Sequence, residues 1–181
     1  MALRRRTLAI AATLGAALTT TACGGMFLGA PEATPAGIEA ILGHAVNDRS
    51  QACLETPTAP PTLSPDSTTD RFKANWARVV AHIQESKKGF KGFGFSYIKA
   101  SSEVELKSWA TSGDTAQAHF TETGTMYLAS AASGPSDVPT KYKVKEKATF
   151  TRTDRGWALD SLTSDEGDHI PVSTPIFDIA S

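Results

Sequence analysis

Between Phe93 and Leu162 apolar and polar residues alternate, and the alternation predicts four consecutive strands: Gly94–Thr111, Thr115–Ala131, Thr140–Thr153 and Trp157–Leu162. In the second, Ala116, Ala118, Phe120, Met126 and Leu128 share one parity while Gln117, His119, Thr121 and Thr123 take the other. In the third, Tyr142, Val144, Ala148 and Phe150 alternate with Lys141, Lys143, Lys145 and Lys147. Successive strand side chains point to opposite faces, so the sheet has one dry face and one wet face. The first strand sends Val104 and Leu106 inward against Glu103, Glu105 and Lys107 outward, with the facing of Trp109 left open. Ser112-Gly113-Asp114 and Asp154-Arg155-Gly156 read as tight turns, and Ser130 to Pro139 as a longer loop. The second turn sets Trp157 and Leu159 opposite Arg152 and Phe150.

A dry sheet face needs a cover, and two helices upstream supply one. Thr34 is an N-cap with Pro35 at the first helical position, and Ile38, Ile41, Leu42 and Ala45 form a stripe that runs to about Gln51. His44 and Asp48, four residues apart, read as a solvated pair. Pro57, Pro60, Pro61 and Pro65 make Glu55–Thr68 an irregular link that crosses the surface or overhangs a pocket. The second helix starts at Ser67–Asp70 and carries Phe72, Trp76, Val79, Val80 and Ile83 on one stripe, with His82 at its edge. Lys87-Lys88-Gly89 is its expected stop. Gly89 to Phe95 is rich in glycine, but it follows a helix and enters a strand. That is the reverse of the order a phosphate-binding loop needs, so it reads as a bend.

The first 34 residues belong to a different regime. Arg4, Arg5 and Arg6 precede an apolar run from Leu8 to Leu18, too short to span a bilayer and suited to a signal-peptide core. The segment ends in Thr20-Thr21-Ala22-Cys23-Gly24, which resembles a bacterial lipoprotein signal, although Thr20 stands where an aliphatic residue is usual. The expectation is a signal peptide over 1–22, a lipidated Cys23 as first mature residue, and a tether over 23–34. Ordinary secretion by cleavage near Ala22 is the alternative. Arg5-Arg6 does not choose between export routes. Met26-Phe27-Leu28 would lie near lipid headgroups.

Composition narrows the function classes. Without residues 1–22 the chain has 15 basic and 19 acidic residues, a net charge near −4, and so no electrostatic reason to bind nucleic acid. Cys53 would then be a lone thiol, either buried and inert or available for dimer formation or reaction. The histidines at 44, 82, 119 and 169 show no metal-ligand spacing, no cofactor is indicated, and no nucleophile-elbow pattern occurs. The Lys141–Lys147 stripe is a solvated face or a contact for an acidic wall polymer.

Two residues break the dry parity, Glu122 and Glu146. A hairpin centred near Gly134 pairs Phe120 with Ala148, Ala118 with Phe150, Met126 with Tyr142, and Glu122 with Glu146. Two adjacent half-buried carboxylates cannot both ionise cheaply, and the raised pKa of one would suit acid–base chemistry. A bulge at Thr123-Gly124 would instead turn Glu122 to water, and lysines from elsewhere would neutralise either acid.

The element order, Ser112-Gly113-Asp114-Thr115-Ala116, and Phe150 to Leu159 with its Arg155-Gly156-Trp157 turn together resemble small exported actinobacterial domains. These have an NTF2-like α+β cone, and the chain is similar to the non-catalytic domain that precedes some amidase-type domains. The resemblance covers about residues 35–163 and implies two or more N-terminal helices on a curved antiparallel meander of four or more strands. Residues 164–181 are then a tail, in which Ile176-Phe177-Asp178-Ile179 forms an edge strand or hangs loose. The resemblance carries over no catalytic residue, and this fold hosts enzymes and binders alike. The leading expectation is a lipoprotein at the outer face of the membrane, anchored through Cys23. It would bind a small molecule, peptide or envelope partner, with Trp76 and Tyr142 as candidate pocket lining. An enzyme of hydrolase or isomerase type using Glu122 and Glu146 is the alternative, and a homodimer through the sheet is a third possibility.

Overall fold

The structure is a computed structural model and describes residues 34–165. The expected signal segment, Cys23, the tether as far as residue 33 and the tail from residue 166, with Ile176–Ile179, lie outside the described residues.

Helix α1 runs Pro35–Ala52, α2 runs Asp70–Gly92, and a short 3₁₀ turn spans Pro65–Ser67. The strands are β1 Phe95–Ser112, β2 Thr115–Ser130, β3 Gly134–Pro135, β4 Thr140–Thr153 and β5 Gly156–Ser164. They form one antiparallel sheet in the order β1-β2-β4-β5, with the two-residue β3 paired to the end of β2. The fold class is α+β, as expected. Thr34 accepts a hydrogen bond from the Gly37 amide as N-cap of α1, and Thr69 does the same for Phe72 at the start of α2.

The dry face is the predicted one. Ala116, Ala118, Phe120, Ala148 and Phe150 are buried under Ile38, Leu42, Ala45, Val46 and Phe72. Two bulges adjust β1: register shifts at Tyr97/Lys99 and Leu106/Ser108 each insert a residue and reverse the parity. Tyr97 and Ala100 are therefore both buried although one number is odd and the other even. The second bulge settles Trp109, which packs against the core.

Three expectations need correction. Helix α2 does not stop at Gly89; it runs on to Gly92, and Gly94, with φ +81°, begins the turn into β1. The reason is Phe90, which is buried and stacks on Phe95 and Tyr97 at centroid separations of 5.5 and 5.0 Å. Burying a phenylalanine is worth roughly 1.5–3 kcal/mol, more than the ~1 kcal/mol a helical glycine costs. Second, Asp48 does not pair with His44. It accepts hydrogen bonds from the Thr62 and Leu63 amides at 2.8 and 2.9 Å and pins the proline-rich link along the surface. Third, the β2–β4 register differs by two residues from the expected one: Phe120 faces Glu146 and Glu122 faces Val144. No bulge occurs at Thr123-Gly124. Because the side-chain period is two, a two-residue shift keeps every residue on its expected face.

Candidate functional site

The core is divided. On α1, Val46 belongs to one apolar cluster and Cys53 to another; on β2, Phe120 belongs to the first and Met126 to the second. Between them lies a polar seam formed by Arg49 and Ser50 of α1, Ser102 of β1, Glu122 of β2, and Tyr142 and Glu146 of β4. Arg49, Glu122 and Glu146 are each at most 1% exposed.

The geometry follows from the register. Directly opposed carboxylates would stand roughly 5 Å apart at Cβ, whereas a diagonal pair is separated by about 7–8 Å. The diagonal placement admits a guanidinium between them. Arg49 Nη2 donates to Glu122 Oε2, and to Glu146 Oε1 at 2.7 Å. The planar, always-charged guanidinium suits two acceptors from one buried position better than a lysine would. Glu122 Oε1 takes two further donors, Ser102 Oγ at 2.6 Å and Tyr142 Oη at 2.9 Å. Since the Ser102 hydroxyl proton goes to Glu122, Ser50 Oγ donates to Ser102 Oγ at 2.6 Å. Gly124 makes the Tyr142 contact possible: a Cβ there would overlap the ring of Tyr142, which faces it across the strands.

The cluster holds one cation between two acids. Burial drives the Glu146 carboxyl up to about 7; Arg49 opposes that shift and Glu122 adds to it. Burial opposes the charge on Arg49, but Glu146 and Glu122 outweigh it and hold the guanidinium above its ordinary value. Burial, with Glu122 beside it, pushes the Tyr142 phenol up to about 12. Within the described residues, Arg49 Nε and Glu146 Oε2 have no hydrogen-bond partner.

A cleft of about 340 Å³ opens between α2 and the edge strand β5, with Arg49 at its floor. Phe72, Trp76 and Val79 form one wall, and Leu162 of β5 stands opposite. Arg71, Asn75 and Arg78, on the adjacent stripe of α2, line its mouth. Neither Glu122 nor Glu146 lines the cleft, nor does Tyr142; Trp76 does. The structure thus brings Glu122, Glu146 and Tyr142 together and places Trp76 in the neighbouring cleft. Cys53 is buried, with its thiol 3.5 Å from the Arg49 carbonyl. His82 is exposed on α2, and no group of three His, Cys, Asp or Glu side chains suited to a metal gathers among the described residues.

Sequence reasoning missed Arg49, the residue that joins the two acids. The signal was there: Arg49 is eleven residues from Ile38, about 20° away around the helix, and so continues the stripe of Ile38, Leu42 and Ala45. A cation on a dry helical stripe above two acids on a dry sheet face is a complementary pattern.

No family model matches the chain, and no curated protein matches it. Among solved structures it is similar to the intermembrane space region of the chloroplast protein ARC6, at 12% sequence identity and a TM-score of 0.48, over 74% of this chain and 98% of that one.

Proposed function

We propose that the chain is an exported lipoprotein, anchored by acylated Cys23 at the outer face of the cell membrane. Its domain at 35–163, an NTF2-like cone, is a non-catalytic module that binds a small molecule in the cleft between α2 and β5. The observation that carries the binding reading is the cleft itself. An apolar wall with Trp76, a floor containing a fully buried arginine, and a few polar groups at the mouth match the make-up of small-molecule sites. Glu122 fits a supporting role, because three donors hold it and bind its charge. An enzyme is the second reading on one observation: Glu146 is buried and keeps one oxygen unpartnered, and burial pushes its carboxyl up.

Two experiments test the proposal. Cys23→Ala should move the protein from the membrane fraction to the soluble fraction of the exporting cell; unchanged membrane association would exclude the anchor. A small-molecule screen by thermal shift should yield ligands whose stabilising effect disappears in Trp76→Ala. Glu146→Gln should leave that binding within about twofold, whereas a turnover abolished by Glu146→Gln would favour the enzyme.

A further inference from the structure

The two stripes on the cleft-facing side of α2 have different chemistry. Phe72, Trp76 and Val79 recur at the i, i+4, i+7 spacing and build the apolar wall; Arg71, Asn75 and Arg78 repeat the same spacing one residue earlier and build the mouth. The arginines are separated by two helical turns, roughly 10 Å, and so stand at two points of the entrance. Asp160 pairs with Arg71 at 3.3 Å and accepts from the Thr69 hydroxyl at 2.8 Å. Arg78 contacts only the neutral side-chain oxygen of Asn75 among the bonds at this mouth. Deeper in, the Arg49 Nε–H lacks an acceptor, while the charge of that guanidinium is already met by Glu122 and Glu146. Among the described residues of the cleft, the guanidinium with no acid bonded to it is therefore that of Arg78, at the mouth.

Building on the binding role proposed above, we infer that the cleft selects organic anions: molecules with a flat or aliphatic apolar body that stacks on Trp76 and Phe72, and a carboxylate or similar head held at Arg78 and Arg71. Arg78 and the apolar wall line the same cleft, so an amphipathic anion satisfies both at once. A neutral molecule of the same body forgoes the head interaction, and a cation meets like charge. The interaction at the mouth is partly exposed, so it sets selectivity more than total affinity and weakens with salt.

Three probes of equal body separate these cases: 2-naphthoate, 2-naphthylmethanol and 2-naphthylmethylamine, titrated against the purified protein by calorimetry at low salt and at 0.5 M NaCl. The expected order is naphthoate tightest, about tenfold over the alcohol, with the amine weakest. Arg78→Gln should remove most of the difference and Arg71→Gln/Arg78→Gln all of it, with the alcohol unchanged within about twofold. Trp76→Ala should weaken the acid and the alcohol alike. Equal binding of acid and alcohol, or preference for the amine, overturns anion selection while leaving the cleft a ligand site. Binding of the acid that survives Trp76→Ala places the probe elsewhere and overturns the inference. If the folded protein, verified by its unfolding transition, binds none of the three at millimolar concentration, this inference and the binding function both fail.

Discussion

Arg49 is the residue on which the interior depends most. Removing one partner of a buried ionic cluster leaves charge without compensation, at a cost of roughly 3–5 kcal/mol, whereas replacing the whole cluster by apolar groups is often neutral or favourable. Arg49→Met should therefore lower the unfolding free energy by about 3–5 kcal/mol in urea titration at pH 8. Arg49→Met/Glu122→Leu/Glu146→Leu should recover most of that loss, and a triple variant no more stable than the single one would mean that the seam is held by shape and not by charge balance. Gly124 offers a second test at this scale. The methyl of Gly124→Ala collides with the Tyr142 ring, so Tyr142 must give up its bond to Glu122, at about 2 kcal/mol. In a Tyr142→Ala background the same change should cost little, and the double-mutant cycle reads the coupling directly. The two acids were legible in the sequence because they break a period-two pattern. Arg49 was not, because a long cation at a stripe's end is ordinarily read as a side chain that reaches water.

At the scale of elements, propensity and burial compete, and α2 shows which prevails. Gly89 after two lysines looks like a terminus, but seven residues beyond Ile83 stands Phe90, still on the apolar stripe, and its burial draws the helix on to Gly92. Gly89 then sits in a helix interior with nothing within 4 Å of a would-be Cβ. Gly89→Ala should consequently stabilise the protein by about 0.5–1 kcal/mol, seen as a higher urea midpoint at unchanged slope. A decrease would mean that this glycine serves the bend which the sequence suggested. The strands were legible almost to the residue because alternation and tight turns fix them locally. The β2–β4 register was not, since the loop from Ala131 to Pro139 does not dictate a hairpin centre and β3 takes up part of it. The bulges in β1 were likewise hidden: an inserted residue changes the facing of Trp109 without leaving a mark in composition.

For the whole molecule, the buried seam makes stability depend on pH in an unusual direction. A carboxyl raised from its ordinary 4.5 to about 7 keeps a proton in the folded protein that the unfolded chain has already released. Between those values the folded state binds more protons, so raising the pH favours unfolding and stability falls; above about pH 7 both states have lost the proton and the slope ends. Other carboxylates act in the opposite sense and in a different range. Glu55, bonded to Lys91, and Glu105, bonded to Lys107, are held below the ordinary value, so their small surface contributions are lost only as the pH drops below about 4.5. The protein should thus be most stable near pH 5, the acidic end of the usual range, and lose stability steadily toward neutrality. Urea unfolding at half-unit steps from pH 4 to pH 8.5 measures this. Glu146→Gln, which replaces the titrating group by a neutral one of the same shape, should flatten the profile between pH 5 and 7 and leave the variant at least as stable as the parent at pH 8. Glu122→Gln should act differently: with one acid fewer, Arg49 belongs to Glu146 alone, the pull of the cation is undivided, and the descending limb should move to lower pH. If both variants kept the parental slope, the titration would belong to some other group, and the seam would be electrostatically silent between pH 5 and 7.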